Sequence, residues 1–367
     1  MAKRRSPKRI GVLTGGGDCP GLNAVIRAVT KAAMTEHGME VMGVNDGYQG
    51  LVEGQGHLLS NAEVSNILTV GGTILGASNR ANPFKYAREA CGGKVTFSDR
   101  SARCIEQFQE WELDALVCIG GDGTLSIAKK FMDMGLPVCG VPKTIDNDLG
   151  CTDVTFGFDT AVQTVSDAVD KLHTTAQSHH RVMVIETMGR YAGWLALKGG
   201  IAGGGDIILI PEIPYSLERV CEKVDQRHSG GKRFSIVVVS EGAKPKGGTH
   251  TVRKMVKTSH DPVRLGGIGM KLVEEIAEIT GLECRCTVLG HLQRGGTPTA
   301  FDRVLATQYG SEAVDLVARR RFGRMVALRG SRITSVPIAD AVAELKLVPP
   351  DGALVKTARR VGTSFGD

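Results

Sequence analysis

Short runs of β-branched and other apolar residues alternate along the chain with longer stretches in which apolar positions recur every three or four residues. The short runs predict strands, and the longer amphipathic stretches predict helices. The expected strands cover residues 10–14, 115–119, 138–141, 182–186, 207–211, 235–240 and 284–289. The expected helices cover residues 22–35, 124–134, 159–175, 191–202, 217–228, 265–280 and 299–319.

The order of these elements predicts an α/β fold, because strands that alternate with helices form parallel sheets covered by helices on both faces. The runs 115–119 and 235–239 are almost continuously apolar, as such doubly covered strands require. One series of units precedes about residue 157 and a second follows it. We therefore expect two similar Rossmann-like lobes with mainly parallel sheets and an active-site cleft between them. Residues 41–59 hold five glycines and predict a hairpin-like excursion.

The composition excludes several classes of protein. The 367 residues are 42% hydrophobic, which supports a large buried core and excludes a disordered chain. The net charge is +6, but the first nine residues alone hold five lysines and arginines. The basic excess is therefore mostly a short terminal tail, and we expect no nucleic-acid partner.

The sequence also predicts the compartment. No apolar run reaches the roughly 18 residues that a membrane helix needs, and residues 10–13 are too few for the apolar part of a signal peptide. The nine cysteines are scattered, with no CxxC pair, which is typical of buried free thiols in a reducing compartment. We expect a cytoplasmic protein without a membrane partner.

Glycine is over-represented, with 48 residues, which is nearly twice its usual share of roughly 7%. Glycines cluster where expected strands end, in GGGD at 15–18 and GGDGT at 120–124. Ligands of open α/β sheets bind at such strand ends, where glycine lets the backbone approach a phosphate beside a helix N-terminus. Neither cluster is a Walker A loop or a GxGxxG fingerprint. Tight turns without a ligand are the alternative, but two clusters that each carry an acidic residue favour a phosphate site.

Asp122 would place a carboxylate beside these phosphates, an arrangement that requires a cation between them. Mg²⁺ is typically held by one or two carboxylates together with phosphate oxygens and water. Asp122 is therefore the candidate ligand of a Mg²⁺ ion, either directly or through water.

The segment PKTIDND at 142–148 follows another expected strand. In an extended chain Thr144, Asp146 and Asp148 point to one side, while Ile145 and Asn147 point to the other. Two carboxylates this close repel each other, so one is a candidate general base for a substrate hydroxyl while the other tunes that base or the metal. An Asx-rich turn without a catalytic role is the alternative.

Several cationic residues lie at the ends of the later strands and could neutralise a phosphorylated substrate. They are Arg181, Arg190, Arg285, His291 and Arg294. Any one of them alone is more often part of a surface salt bridge, and their shared placement at strand ends is what favours a site. Glu241, after the 235–240 strand, could accept hydrogen bonds from sugar hydroxyls or pair with a buried arginine.

Together these segments resemble the phosphofructokinases over nearly the whole chain. The similar segments are GVLTGGGDCPGLNAVIR, GGDGT, PKTIDND, ETMGRYAGWLAL, VVVSEGAKP and TVLGHLQRGGTPTAFDR. GGDGT alone is similar in NAD kinases and lipid kinases, whereas TIDND, MGR and GHLQRGG in this order are specific. The resemblance implies transfer of a phosphoryl group to the 1-hydroxyl of fructose 6-phosphate, a glycolytic reaction, with Mg²⁺.

The resemblance also implies a role for each matching residue. Asp146 would be the general base in a catalytic set with Thr144, Asp148, Arg190 and Arg80, and Asp122 would be the Mg²⁺ carboxylate. The phosphoryl donor would contact Gly17, Arg80, Gly121, Asp122, Gly123 and Thr124. The sugar phosphate would contact Thr144, Asp146, Met188, Gly189, Arg190 and Glu241, and its 6-phosphate would contact Arg181, Arg285, His291 and Arg294.

Two of these residues, Arg181 and Arg285, would come from a neighbouring subunit. The resemblance therefore implies a homodimer or homotetramer whose active sites are completed across subunits. Residues 1–157 with about 293–343 would form the lobe for the phosphoryl donor. Residues 158–292 with about 344–367 would form the lobe for the sugar phosphate.

The identity of the donor is expected to depend on Gly123 and Lys143. Pyrophosphate-dependent members of the family look to have Asp at the position of Gly123, where a carboxylate would repel the α-phosphate of a nucleotide. They share Lys143, where the common bacterial ATP enzymes have Gly. The chain resembles the mixed-substrate branch whose Gly/Lys members use ATP. We therefore expect ATP as the donor, with pyrophosphate as the alternative.

Two other classes of protein are alternatives to a phosphofructokinase. A sugar-phosphate sensor or structural subunit would be expected to lose at least one of Asp122, Asp146, Asp148 and Arg190, and all four are present. A nucleotide or lipid kinase of the GGDGT type would have no use for GHLQRGG or for the late arginines.

Overall fold

The computed structural model describes residues 6–78, 81–89, 95–255 and 263–367, and the structural statements below concern these residues. The strands are β1 (Arg9–Thr14), β2 (Glu40–Val44), β3 (Gly56–Leu58), β4 (Tyr86–Glu89), β5 (Val95–Ser98), β6 (Ala115–Gly120), β7 (Val138–Pro142), β8 (Val182–Thr187), β9 (Ile207–Leu209), β10 (Ser235–Ser240), β11 (Val252–Met255), β12 (Val263–Leu265), β13 (Cys284–Val288), β14 (Arg324–Arg329) and β15 (Arg332–Pro337). The helices are α1 (Leu22–His37), α2 (Tyr48–Glu53), α3 (Ser101–Glu110), α4 (Asp122–Asp133), α5 (Phe158–His179), α6 (Trp194–Ala202), α7 (Leu217–Ser229), α8 (Ile268–Thr280), α9 (Ala300–Ala318), α10 (Ile338–Ala341) and α11 (Ala353–Arg360). Short 3₁₀ helices cover Pro83–Lys85 and Gly290–Arg294.

Seven strands form a mainly parallel sheet in the order β15–β14–β7–β6–β1–β2–β3. The strands from β14 to β2 are parallel to their neighbours, and the edge strands β15 and β3 are antiparallel. This order places β7, β6 and β1 side by side, so the loops that follow them meet at one edge. β6 is buried along its whole length, as its apolar run predicts.

Four strands form a second, fully parallel sheet in the order β13–β8–β10–β9. β8 and β10 are buried along their whole length because helices cover both faces of the sheet. The loops after β13, β8 and β10 likewise meet at one edge. Two small antiparallel pairs, β4–β5 and β11–β12, lie outside the two sheets.

Each sheet has an apolar core on both faces. One face of the first sheet packs with α1 and α9, and the other packs with α2 and α4. The two faces of the second sheet pack with α5, α6 and α11 and with α7 and α8. The predicted α/β fold of two lobes with mainly parallel sheets is confirmed. Within the described part of the chain, no helix is long and apolar enough to cross a membrane.

The seven predicted strands and seven predicted helices are all present, with shifted ends. The helix predicted at 265–280 begins only at Ile268, because Gly266 and Gly267 adopt positive φ values of 133° and 90°. The excursion at 41–59 is only partly a hairpin, because α2 lies between the antiparallel strands β2 and β3. The periodicity predicted none of α3, β14, β15 and α11.

Candidate active site

Three loops meet where β1, β6 and β7 end, at residues 15–18, 121–124 and 143–148. The amide of Lys143 donates to the carbonyl oxygen of Gly120 at 3.0 Å, and the amide of Gly15 donates to that of Ile119 at 2.9 Å. These bonds continue the pairing of the strands and hold the loops side by side. The two predicted glycine clusters and the PKTIDND segment therefore form one surface.

The side chain of Thr124 occupies the space that Cβ atoms at two of these glycines would need. This side chain is buried between Gly15 and Gly120, and a Cβ atom at either glycine would collide with it. The hydroxyl of Tyr48 donates to the carbonyl oxygen of Thr124 at 3.0 Å. The side chain of Thr124 thus packs the loops together, and its contact with the donor remains a prediction.

Asp122 is the first residue of α4, and Gly121 precedes it as the cap. The unpaired N–H groups and the positive end of the helix dipole make this end of α4 a favourable place for phosphate. A cavity of about 650 Å³ lies at the loop that follows β1, lined by Gly16, Gly17, Asp18, Asp46, Gln49, Thr73, Ala77 and Ser78. The cavity offers room for a donor next to Gly17, at the position that the sequence predicts.

The catalytic segment alternates as the sequence predicts. Thr144, Asp146 and Asp148 are half-buried and face the site, while Ile145 and Asn147 are buried at 1% and 3% exposure. The amide of Asp146 donates to the Thr144 hydroxyl oxygen at 3.1 Å, which fixes the turn between them. One hydroxyl and two carboxylates therefore point into the same space.

The pKa values of both carboxyl groups in this segment are raised. Burial, followed by the charges of Asp146 and Asp122, raises the pKa of Asp148 to about 7. Burial also raises the pKa of Asp146, while the charges of Arg294 and Lys143 act in the opposite direction. The Oδ1 atom of Asp146 is buried and has no hydrogen-bond partner. A substrate hydroxyl would supply the missing donor, because buried polar atoms are otherwise nearly always paired.

The ammonium group of Lys143 lies inside the site. Its Nζ atom donates to the carbonyl oxygen of Gly17, and the residue is only 4% exposed. Burial lowers the pKa of Lys143, and the charges of Asp18 and Asp146 are among those that oppose this effect. A cation therefore lies between the donor loop and the carboxylates, at one of the two positions expected to select the donor.

Three further loops meet at the carboxyl edge of the second sheet, after β8, β10 and β13. The amide of Glu241 donates to the carbonyl oxygen of Thr187 at 2.9 Å, and the amide of Met188 donates to Oε1 of Gln293 at 3.3 Å. The Gln293 side chain is fully buried and ties two of the loops together. Met188 and Glu241, both predicted to hold the sugar, lie together at this edge.

Gly189 has a positive φ of 123° and lies against Ser240, whose hydroxyl donates to the Gly189 carbonyl oxygen. A Cβ atom at this position would lie 2.6 Å from the Ser240 Oγ atom. Only glycine suits this turn, which directs the next residue, Arg190, toward the cleft side of the sheet. The Arg190 guanidinium also lies 5.0 Å from the centre of the Tyr191 ring.

The two groups of loops face each other across a cleft. Burial, and then the charges of Asp146 and Glu186, raise the pKa of Glu241 to about 7, while Arg190 and Arg294 act in the opposite direction. Asp146 follows a strand of the first sheet and Glu241 follows a strand of the second, so the effect of the Asp146 charge on the pKa of Glu241 indicates that the two groups of loops lie near each other.

Arg294 connects the two groups of loops directly. Its Nη1 atom donates to the carbonyl oxygen of Asp18 at 2.9 Å, and its guanidinium covers Gly17. In this conformation Arg294 lies against the donor loop, while His291 of the same 3₁₀ helix is exposed. Their contact with a 6-phosphate remains a prediction.

Arg181 and Arg285 lie at strand ends as predicted from the sequence, but at the ends opposite to those that carry the other candidate residues. Arg181 precedes β8 and Arg285 is the second residue of β13, so both lie at the amino edge of the second sheet. There both pair with Glu283, with 2.9 Å between Arg181 Nη2 and Glu283 Oε1. A strand rises about 3.3 Å per residue, so about 23 Å separate Arg181, and about 17 Å separate Arg285, from the loop at Met188. Neither arginine lies at the cleft of its own subunit.

Arg80, a predicted site residue, and Cys91 lie outside the described residues. The other eight cysteines are free thiols. The sequence analysis did not predict that Gln293, which lies within GHLQRGG, links two of the loops. It also missed Lys346, which bonds to the segment that carries Asp146, because a single lysine in a polar stretch gives no signal.

The donor set at the junction of the loops fits a Mg²⁺ ion. Asp122 opens α4 beside the expected phosphates, and its charge is among those that raise the pKa of Asp148. Among the described residues, Asp122, Asp146 and Asp148 do not form a cluster with three ligand oxygens within 4.8 Å of one another. A site with few protein carboxylates suits Mg²⁺, which takes its remaining ligands from phosphates and water.

A family model described as Phosphofructokinase matches residues 9–317 of the chain. An ATP-dependent 6-phosphofructokinase of Clostridium perfringens is 52% identical over 361 residues, which cover 98% of this chain and 99% of the relative. A pyrophosphate–fructose 6-phosphate 1-phosphotransferase of Amycolatopsis methanolica is 53% identical over 344 residues, which cover 94% of this chain and 97% of the relative.

The fold is also similar to that of a solved structure. The crystal structure of Pichia pastoris phosphofructokinase in the T-state matches with a TM-score of 0.78 and 33% sequence identity. The match covers 93% of this chain and 36% of the Pichia chain.

Proposed function

The chain belongs to the phosphofructokinase family, and on this premise we propose that it transfers the γ-phosphoryl group of ATP to the 1-hydroxyl group of fructose 6-phosphate. The products are fructose 1,6-bisphosphate and ADP. The observation that carries the proposal is the buried Oδ1 atom of Asp146, which has no hydrogen-bond partner and belongs to a loop beside the one that leads into α4.

Asp146 acts as the general base. The raised pKa of its carboxyl group favours acceptance of a proton from the 1-hydroxyl as that oxygen attacks. The bond between this oxygen and the γ-phosphorus forms while the bond from that phosphorus to the β,γ-bridging oxygen breaks. ADP leaves with the electron pair of the broken bond, and the proton remains on Asp146. Asp148 and Thr144 lie on the same side of the segment as Asp146 and contribute to the electrostatic potential around its carboxylate.

Positive groups stabilise the charge that spreads over the transferring phosphoryl group. The N-terminus of α4 and the ammonium group of Lys143, which donates to the Gly17 carbonyl oxygen, lie at the loops that carry Gly17 and Asp146. Such fixed donors need no reorganisation during the reaction, and electrostatic positioning supplies most of the catalysis of phosphoryl transfer. Arg80 and Arg190 belong to the proposed set as well.

Asp122 would hold Mg²⁺, directly or through water. When bound, the ion neutralises the donor phosphates and orients them. The donor would also contact Gly17, Gly121, Gly123 and Thr124. Because Gly123 has no side chain, the first turn of α4 leaves room for the α-phosphate of a nucleotide, and this supports ATP over pyrophosphate.

The sugar would lie against Met188, Gly189, Arg190 and Glu241, with its 6-phosphate near His291 and Arg294. We propose that Arg181 and Arg285 reach the 6-phosphate of a neighbouring subunit, since both lie at the opposite edge of their own sheet. This arrangement requires a homodimer or homotetramer. The division into a donor lobe and a sugar-phosphate lobe, and a cytoplasmic location, which the free thiols support, belong to the same proposal.

The proposal is tested by identifying the product. Purified protein is incubated with Mg²⁺, ATP and fructose 6-phosphate, and the product is examined by ³¹P nuclear magnetic resonance. We expect a new phosphate monoester on carbon 1, with one ADP formed for each bisphosphate. Hydrolysis of ATP without transfer, or phosphorylation of another hydroxyl, would contradict it.

A further inference from the structure

A segment near the C-terminus crosses from one group of loops to the other. Lys346 lies between α10 and α11, and its backbone amide donates to the carbonyl oxygen of Asp148 at 2.8 Å. Its own carbonyl oxygen accepts a hydrogen bond from Nε1 of Trp194 at 2.7 Å. The backbone of one residue is therefore bonded to the catalytic segment on one side and to the start of α6 on the other.

The side chain of Lys346 strengthens this connection. Its Nζ atom donates to Oδ1 of Asn147 at 3.0 Å and to the carbonyl oxygens of Thr152 and Asp153, both at 2.9 Å. An ammonium group has three donors, and all three are used. Burial lowers the pKa of Lys346 to about 8, so most of the molecules keep the third proton at neutral pH.

The acceptor Asn147 is the residue between the two site carboxylates. It is 3% exposed and has a positive φ of 53°, a conformation that non-glycine residues seldom adopt. Its Oδ1 atom accepts a second bond from the amide of Thr155 at 3.0 Å. Asn147 is held inward between Asp146 and Asp148, which are both half-buried, so the hydrogen bonds to Asn147 hold the backbone that carries the two carboxylates.

The other end of the connection holds the sugar loop. Trp194 follows residues 188–193, and the Lys346 ammonium lies 5.9 Å from the centre of its ring. Two residues later the amide of Val348 donates to Oε1 of Glu212 at 2.8 Å, and the same carboxylate accepts from the amide of Gly193 at 3.0 Å. The segment 346–348 thus holds the loops of both sheets at a fixed separation.

We propose that Lys346 is a positioning residue for phosphoryl transfer, which holds the segment carrying Asp146 and Asp148 in register with the sugar loop that precedes Trp194. It acts through Asn147 and the Asp148 backbone and does not touch the substrate. The inference rests on the proposed function, in which Asp146 is the general base. It predicts an effect on the chemical step, because a displacement of about 1 Å at a reacting group can cost on the order of 100-fold in rate.

The test compares Lys346→Met, which keeps the length of the side chain and removes the three donors, with the control Lys356→Met on the exposed face of α11. Amide hydrogen exchange is measured for peptides covering residues 143–155, and kcat and KM are measured with ATP and fructose 6-phosphate. For K346M we expect at least 5-fold faster exchange in these peptides, and kcat lower by about 10- to 100-fold. KM for each substrate should change by less than about 3-fold. K356M should match the wild type in both measurements.

Each contrary result has a separate meaning. Unchanged exchange at 143–155, or an unchanged kcat, overturns the role of Lys346. Faster exchange over the whole chain overturns it as well, because it indicates a general loss of stability. If K346M does not fold, Lys346→Gln, which retains a shorter donor, is expected to give the same split at reduced size, and its equality with wild type contradicts the proposal. If the wild type makes no fructose 1,6-bisphosphate, the proposed function fails, while the exchange data still decide whether Lys346 holds the segment.

Discussion

Asp146 and Asp148 lie two residues apart and face the same space. This arrangement lowers the free energy of unfolding, and we propose that it serves general-base catalysis. Burial raises the pKa values of both carboxyl groups, and the charge of Asp146 raises that of Asp148 further. A base with such a pKa takes up a proton more readily near neutral pH than an ordinary aspartate does. The cation of Lys143 nearby keeps the charged form of Asp146 accessible.

The role of Asp146 is tested by the substitution Asp146→Asn, which keeps the shape of the side chain and removes the base. We expect kcat to fall by about 100- to 10,000-fold, because general-base catalysis supplies an effect of this size. KM for fructose 6-phosphate should change little, since the amide retains the hydrogen-bonding oxygen. Steady-state kinetics at saturating donor measures both constants.

Asp167→Asn, an exposed change on α5, serves as the control for D146N and should leave both constants at their wild-type values. A D146N enzyme that changes KM but retains kcat would argue against the role of this residue as the base.

The raised pKa of Asp148 also predicts how stability depends on pH. The folded protein binds a proton at Asp148 up to about pH 7, whereas the unfolded chain releases it near pH 4. The free energy of unfolding should therefore fall as the pH rises through this window. Asp148→Asn should remove this penalty and stabilise the ligand-free protein by about 1–3 kcal/mol at pH 8, with lower activity.

Thermal unfolding of the wild type and D148N between pH 4 and pH 8 measures this difference. The two proteins should nearly converge at pH 4, where Asp148 is protonated in the folded state and about half protonated in the unfolded state. A difference that is largest at pH 4, or a destabilised D148N at pH 8, would show that the carboxylate is not under this strain.

Sequence reasoning predicted the alternation of burial over residues 144–148, although the segment bends and is not extended, with a positive φ of 53° at Asn147. Thr144, Asp146 and Asp148 face the site as predicted. It could not find Lys346, because the contact joins residues nearly two hundred positions apart. Such a contact depends on the path of the whole chain between them and leaves no local pattern.

At the scale of helices and strands, the excess of glycine has two physical origins. Some glycines lie in the loops at strand ends, as the sequence analysis proposed, and Gly17 and Gly189 are examples. Others lie at α6, where Gly199 in the helix and Gly203 at its C-terminal cap leave space for Val165 and Val169 of α5. The close contact of these helices could not be predicted from strand-end clusters, because it depends on which helices become neighbours.

A buried carboxylate joins α9 to the start of α5. Asp302 is fully buried and accepts hydrogen bonds from the amides of Gly157 at 2.9 Å and Thr160 at 2.8 Å. The hydroxyl of Thr160 donates a third bond at 2.6 Å. Asp302→Ala leaves three buried donors unpaired, and we expect the free energy of unfolding to fall by about 2–4 kcal/mol. Denaturant unfolding at pH 8 gives this value.

The partly exposed Asp315 of the same helix supplies the control for D302A. Asp315→Asn removes surface ion pairs and should change the free energy of unfolding by less than about 1 kcal/mol. Equal effects of the two substitutions would mean that the hydrogen bonds of Asp302 do not stabilise the contact between α5 and α9.

Strand direction shows a limit of sequence reasoning at this scale. Arg181 and Arg285 lie next to strands, but at the ends opposite to the cleft. An expected strand tells which residues are near its ends, and only the chain direction separates the amino end from the carboxyl end. The sequence analysis placed both arginines at strand ends and gave no weight to this direction.

At the scale of the whole molecule, we propose that the two sheets supply complementary halves of a site, with the donor loops on the first sheet and the sugar loops on the second. The alternation of elements predicted the two mainly parallel sheets, because each βα unit is local in sequence. The crossing of the chain at 346–348 and the contribution of a second subunit depend on nonlocal contacts.

The sharing of sites between subunits is tested by mixing two inactive proteins. Asp146→Asn removes the base of its own site, and Arg285→Ala removes the arginine that we propose reaches the neighbouring site. After random reassembly of equal amounts, about one site in four has both residues intact. We therefore expect about a quarter of the wild-type activity to return.

The same mixture without dissociation and reassembly is the control, and it should stay inactive. Failure to regain activity, when size analysis shows mixed oligomers, would mean that each site uses the arginine of its own chain or none.

The measurement that tests the central claim most directly compares the two phosphoryl donors. Initial rates of fructose 1,6-bisphosphate formation are measured with the wild type, Mg²⁺ and fructose 6-phosphate, with either ATP or pyrophosphate varied. Because Gly123 leaves room for the α-phosphate, we expect kcat/KM for ATP to exceed that for pyrophosphate by about 100-fold or more, equivalent to about 3 kcal/mol. A higher kcat/KM for pyrophosphate, or no bisphosphate with either donor, would contradict the account.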